Sequence, residues 1–214
     1  MAEDYRKWLW EKTGEKCVNN LKKHAFDAHL CKTSQEAKEL ILKMISQYET
    51  FGFGGSSTTR DMGLIEALKE QGKTILDHND PSLPFEKSLE FRRQQSLTDC
   101  FLCSANGISV TGEIVNVDGC GNRTNAMSFG PKKVVIVAGA NKICKDLHAA
   151  IDRVHTVAAP MRAKSLNMET PCAETGICVD CNSPSRVCRI TTILHRKPML
   201  TDISVVIVAE ELGY

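Results

Sequence analysis

Along this chain, short runs rich in valine, isoleucine and phenylalanine alternate with segments whose apolar residues return every three or four positions. That order constrains the fold more than any other feature. Two neighbouring strands joined through a helix lie parallel, because the crossover returns the chain to the same end of the sheet. Val18, Leu21 and Ala25 give helical spacing to residues 4–24, and Phe26, Ala28 and Leu30 then alternate with polar neighbours as a short strand. Thr33-Ser34-Gln35-Glu36 is a capping box opening a helix with Ala37, Leu40, Ile41, Met44 and Ile45 on one face. A strand near 49–53, a helix with Leu64, Ile65 and Leu68, a strand at 73–77, a helix at 86–96 and a strand at 99–103 continue the rhythm. Val134 to Val137, a helix carrying Leu147 and Ile151, and the strand Ile203 to Val208 complete it. The expected architecture is three-layer α/β/α, a mostly parallel sheet covered by helices on both faces.

Residues 154–198 break the order, holding four of the seven prolines and four of the ten cysteines. The expected organisation is therefore one domain over 1–214, with a cysteine-rich insertion at about 165–198. A chain of 214 residues can bury a substantial core. Its 27 basic and 26 acidic residues are dispersed, with none of the concentrated basic face that nucleic-acid binding needs. No apolar run approaches the roughly 20 residues of a membrane span. Met1 to Lys7 is charged with no apolar core behind it, unlike a signal peptide. These features predict a cytoplasmic protein whose cysteines are reduced thiols or metal ligands.

Two loops concentrate polar groups after apolar strands. Gly54-Gly55-Ser56-Ser57-Thr58 joins a strand to a helix, where glycines let backbone N–H groups approach an anion and hydroxyls add donors. The plain alternative is a tight turn with a Ser/Thr cap. Asp118-Gly119-Cys120-Gly121-Asn122-Arg123 packs a carboxylate, an amide and a guanidinium between glycines, downstream of Ser104-Ala105-Asn106-Gly107. Arg123 is expected either to receive a small carboxylate or phosphate, with Asn106 as a neutral donor and Asp118 fixing the guanidinium, or to clamp its own turn.

Cys172, Cys178, Cys181 and Cys188 carry the strongest chemical signal. Pro171, Gly176, Asn182 and Pro184 let the backbone bend four sulfurs toward one centre. One CxxC pair with two outer cysteines suits a four-thiolate site. Zinc ribbons prefer two CxxC pairs, so the uneven spacing favours [4Fe–4S], with zinc as the alternative. Arg186 and Arg189 flank Cys188 and would offset the charge of a thiolate-bound cluster. Cys100 and Cys103 also form a CxxC, but three apart on a strand they face opposite sides and cannot share an ion. The histidines show no ligand spacing and read as surface or cap residues.

The Gly54–Thr58 loop, Ser104 to Ile108, Gly112 to Arg123, Phe129-Gly130-Pro131-Lys132-Lys133 and the terminal Glu211-Leu212-Gly213-Tyr214 together resemble the lactate-utilization (LUD) family from about residue 26 onward. The resemblance implies the fold of ribose-phosphate isomerases, glucosamine-phosphate deaminases and CoA transferases. It also implies service in a redox system for lactate or a similar small hydroxy acid, alongside other iron–sulfur proteins and with a small anionic metabolite as ligand. Two departures count against borrowed catalysis. Ala105 stands where the similar CoA transferases place an acyl-accepting Glu, and Asn106 where the isomerases place an Asp base. Glu113 and Asp118 remain candidate acid/base groups, each with a structural alternative. Two other functions stay open: a non-redox binding or assembly protein with structural zinc, and an enzyme acting on a sugar phosphate or acyl thioester.

Overall fold

The computed structural model describes residues 5–214; Met1–Asp4, which begin the charged N-terminal run, lie outside the described residues. In chain order the first half runs α1 (Tyr5–Lys23), β1 (Asp27–Cys31), α2 (Ser34–Met44), β2 (Thr50–Phe53), α3 (Ser57–Asp61), α4 (Leu64–Glu70), β3 (Thr74–Asp77), α5 (Phe85–Gln94) and β4 (Cys100–Cys103). Then come β5 (Gly107–Ser109), β6 (Ile114–Asp118), α6 (Asn122–Ser128), β7 (Lys133–Gly139), β8 (Ile143–Cys144) and α7 (Leu147–Arg153). The chain closes with α8 (Ala159–Ser165), α9 (Pro171–Thr175), β9 (Ile190–Leu194) and β10 (Asp202–Val208).

The six strands β1-β10-β7-β4-β2-β3 stand in that order, and every neighbouring pair is parallel. Period-two alternation divides their side chains between two cores. Phe101, Val134, Ile136, Val205 and Ile207 pack with Leu21 of α1 and Met127 of α6. Leu102, Val135, Val137, Val206 and Val208 pack with Ile41 of α2 and Leu64 and Leu68 of α4. Each such fully buried aliphatic side chain contributes about 1.5–3 kcal/mol. Cys100 falls in the second core and Cys103 in the first, both fully buried, as their odd spacing dictates. Burial pushes the Cys103 thiol up to about 12, so it behaves as a small apolar side chain.

Local signals act as read at α2. Thr33 Oγ1 accepts from Glu36 N at 3.2 Å, while the Glu36 carboxylate reaches one residue further back, to Lys32 N at 2.8 Å. α1 ends before Ala25, which takes a left-handed φ of 66° and turns Phe26 N onto Leu21 O.

A second sheet was not anticipated. β8-β5-β6-β9 form four strands in which β6 runs antiparallel to both β5 and β9. Val115 and Val117 of β6 pack on Ala150, Val154 and Ala159 from α7 and its continuation. Ile114 to Val117 reads as a short strand in sequence, but nothing local names its partners, and β5 and β8 are too short to show a period. β9 lies inside the cysteine-rich stretch, so residues 190–194 are tied to the domain by β6. α7 reaches α8 through a widened turn at Val154–Ala158, where Ala159 N bonds to Val154 O ahead of Pro160, which has no N–H to give.

Candidate functional site

Parallel sheets gather their carboxyl-end loops along one edge, and ligands bind there. Here loops after β2, β3, β4, β7 and β10 line a cavity of about 460 Å3. They supply Gly55 to Thr58, His78 and Asn79, Ser104 to Asn106, Lys142, and Tyr214. Asp118, Asn122 and Arg123 line it too; Asp118 ends β6 of the second, mixed sheet, and Asn122 and Arg123 follow it. The cavity therefore sits between the two sheets. Six basic side chains line it (Arg92, Arg123, Lys142, Arg162, Arg186 and Arg189), against Asp118 as the lining carboxylate. That balance favours an anionic occupant.

The glycine-serine loop forms the capped tight turn and also lines the cavity. Ser56 Oγ caps Thr59 N at 3.3 Å, and Thr58 is fully buried with its hydroxyl facing Lys142. The helix that follows has only five residues, so little dipole is available; charge complementarity rests on the side chains. Gly54 is pressed on Arg123, whose Cδ lies 3.3 Å from where a Cβ would stand. At Gly55 the same added atom would lie 3.2 Å from Asn79 Nδ2, a buried donor with no acceptor among the described residues. That orphan donor is the kind of group a ligand satisfies.

Arg123 is committed to the protein. Its Nε and Nη2 meet Asp118 Oδ1 at 2.9 and 2.7 Å, and Nη2 also donates to Asn106 Oδ1 at 3.1 Å and Val117 O at 2.6 Å. Asp118 Oδ2 in turn accepts from Thr124 N at 3.0 Å. Asp118 thus holds the Nε and Nη2 side of the fork, while Arg123 also lines the cavity. Asn106 spends its carbonyl on Arg123 and Val117 N, which leaves its amide nitrogen as the donor half of the side chain. Asn122 Nδ2 donates to Gln95 Oε1 at 3.2 Å. Glu113 is not at the site; its carboxylate takes the Thr111 hydroxyl in the β5–β6 turn.

Several lining residues escaped the sequence reading, Asn79, Arg92 and Arg162 among them, and two more carry distinctive chemistry. His78 is buried beside Gln95, whose amide lies 2.9 Å from its Nδ1. Desolvation, reinforced by Arg92, lowers it to about 4, so it enters the cavity as a neutral imidazole. The polar run Asp77-His78-Asn79-Asp80 at the end of strand β3 was the available signal. Lys142 is 3% exposed, and its Nζ donates to Thr58 Oγ1 at 3.1 Å and Ser104 Oγ at 3.0 Å. Burial first, then the Arg153 and Arg123 charges, lower it to about 7. Its signal was a lysine placed just past the apolar strand β7.

The cysteine loop reaches this cavity. Pro184 to Val187 and Arg189 line it, and Arg189 N bonds to Asp118 O at 2.9 Å. Cys172, Cys178, Cys181 and Cys188 are all half-buried free thiols. Arg186 donates to Cys181 O at 2.7 Å and Cys188 O at 2.9 Å and pairs with Asp180 at 2.8 Å, tying two cysteine-bearing segments together. Cys178 Sγ lies 3.8 Å from His155 Nδ1. Among the described residues, no three Cys, His, Asp or Glu side chains already converge as a metal site. Four cysteines are the donor chemistry of a thiolate-bound metal; Cys172 sits on α9, and Cys178, Cys181 and Cys188 lie between α9 and β9 in a segment with neither helix nor strand.

Fold and site together define an α/β domain built on a parallel sheet, with a cation-lined cavity at the sheet's carboxyl edge. The profile of the LUD domain matches residues 14–208, and the chain belongs to that family, which supports a role related to lactate utilization. A DUF162 family protein from Deinococcus radiodurans is similar in structure, with a TM-score of 0.56 over 93% of this chain and 98% of that one. At 14% identity that likeness establishes the fold alone. A comparison with curated proteins gave no match. No helix among the described residues is long and apolar enough to cross a membrane.

Proposed function

We propose that this chain is a component of a redox system for lactate or a similar small hydroxy acid. In this reading it holds a small carboxylate or phosphate in the carboxyl-edge cavity and a [4Fe–4S] cluster on Cys172, Cys178, Cys181 and Cys188. The observation that carries the reading is proximity: the loop bearing these cysteines lines the same cavity as Gly55 to Thr58, Asn106 and Lys142. A ligand there would be enclosed by cations from both sheets and by Arg186 and Arg189 of the cysteine loop. Neutral donors are in place as well, in His78, Asn79 and the Asn106 amide. Such an arrangement would hold and orient an anion.

When bound, the cluster supplies one-electron transfer to iron–sulfur partner proteins. The chain's part is to place Arg186 across the backbone of Cys181 and Cys188, where its charge offsets the thiolates.

The test is protein purified without oxygen and reconstituted with iron and sulfide. Charge-transfer absorbance with about four irons and four sulfides per chain, bleached by Cys181→Ser but not by Cys100→Ser, is the expected result. Colourless protein with stoichiometric zinc would instead establish the structural-zinc reading. Thermal shifts with L-lactate and with inorganic phosphate test the cavity separately.

A further inference from the structure

One basic group of the proposed anion cavity differs from the others in its surroundings. Lys142 is enclosed on the sheet side by two hydroxyls, Thr58 Oγ1 and Ser104 Oγ, and faces a cavity large enough for a small metabolite. Among the described residues no carboxylate forms an ion pair with it, although Asp61 lies near enough to act on it weakly. Its charged neighbours are instead Arg153 and Arg123. A buried ammonium in such company is poorly stabilised, so the amine sheds its proton readily.

An uncharged amine has two hydrogens and one lone pair. With both hydrogens directed at Thr58 and Ser104, the lone pair is left as the reactive feature, fixed in direction by a residue of α3 and one just past β4. We propose that Lys142 is a nucleophile that captures the carbonyl carbon of a 2-oxo acid as an imine, with the ligand's carboxylate held by the cavity's cations. The Nζ lone pair forms the new C–N bond; the carbonyl oxygen leaves as water, taking the two amine hydrogens. Thr58 and Ser104 hydroxyls stand beside the nitrogen to relay those protons. No oxidant or reductant is required. This rests on the cavity being an anion site and narrows its ligand class: a 2-oxo acid is the two-electron oxidation product of a 2-hydroxy acid.

The experiment incubates the intact protein with pyruvate and sodium cyanoborohydride, which reduces imines in preference to ketones, and maps the adduct by peptide mass spectrometry. A surface lysine near 10.4 is less than about one part in a thousand unprotonated at neutral pH, so Lys142 should label on the order of tenfold faster or more. Excess inorganic phosphate should slow that labelling, and Lys142→Gln should abolish it at the mapped peptide. Labelling spread evenly over surface lysines, while calorimetry shows pyruvate bound, overturns the imine and leaves the anion cavity standing. Absence of binding by any of lactate, pyruvate and phosphate overturns both. Modification of Ser104 by a fluorophosphonate, with no Lys142 adduct, would assign the pair to serine chemistry and also overturn the proposal.

Discussion

Replacing Arg123 by Met should destabilise this protein sharply. Arg123 makes four polar contacts, to Asp118 through Nε and Nη2, to Asn106 and to Val117, with side chains only 13% and 9% exposed at the ion pair. Removing the guanidinium strands Asp118 in a poorly hydrated site with Thr124 N as its remaining close donor. Breaking a buried pair from one side costs about 3–5 kcal/mol, and the residual exposure here points to the lower end. Since 1 kcal/mol moves the midpoint of a domain this size by about 2–4 °C, the expected drop is about 6–12 °C. Arg123→Lys keeps the charge but cannot span three acceptors, so it should lose less, about 1–2 kcal/mol. The assay is urea denaturation followed by circular dichroism, run as a double-mutant cycle with Asp118→Leu. The double variant should regain most of the loss, because no uncompensated charge is left buried. An Arg123→Met protein within about 0.5 kcal/mol of wild type would refute the clamp and return Arg123 to the ligand.

Asp99 accepts from Lys132 Nζ, the Thr50 hydroxyl and Thr50 N, which hold its carboxyl well below the usual carboxylate range. A depressed folded value stabilises above the unfolded value of about 3.9 and is lost as pH falls through the folded one. Asp99→Asn should therefore lower the melting temperature at pH 7 and converge with wild type in strong acid; a constant gap across that range would contradict this. Gly130 sits at φ 131° with a would-be Cβ 2.3 Å from Ser96 O, so Gly130→Ala should cost on the order of 1–3 kcal/mol or more by chemical denaturation. Ala105 is buried and carries only a methyl group, so radiolabelled free acid should not exchange into acyl-CoA; exchange would show that a different residue serves as acyl acceptor.

The sequence alone determined the parallel sheet and its two covering layers. Alternation is local: Phe101 and Leu102 declare opposite faces whatever surrounds them, and Thr33 caps α2 from three residues away. It also placed Gly54 to Thr58, Asn106 and Arg123 as site candidates, because polar residues after apolar strands mark a sheet's carboxyl edge. It offered Asp118 as the partner of Arg123 but could not choose between a guanidinium held by its own turn and one given to a ligand. A guanidinium satisfied by Asp118, Asn106 and Val117 looks in sequence like one reserved for a ligand, since both have the same neighbours along the chain. The second sheet had no period to read in strands as short as Gly107–Ser109 and Ile143–Cys144. Only the tertiary structure brought Lys142 to Thr58 and Ser104, 84 and 38 residues away, and neither span has a local signal. A lysine becomes unusual through the water and counter-charges it loses, and those are decided by what folds against it.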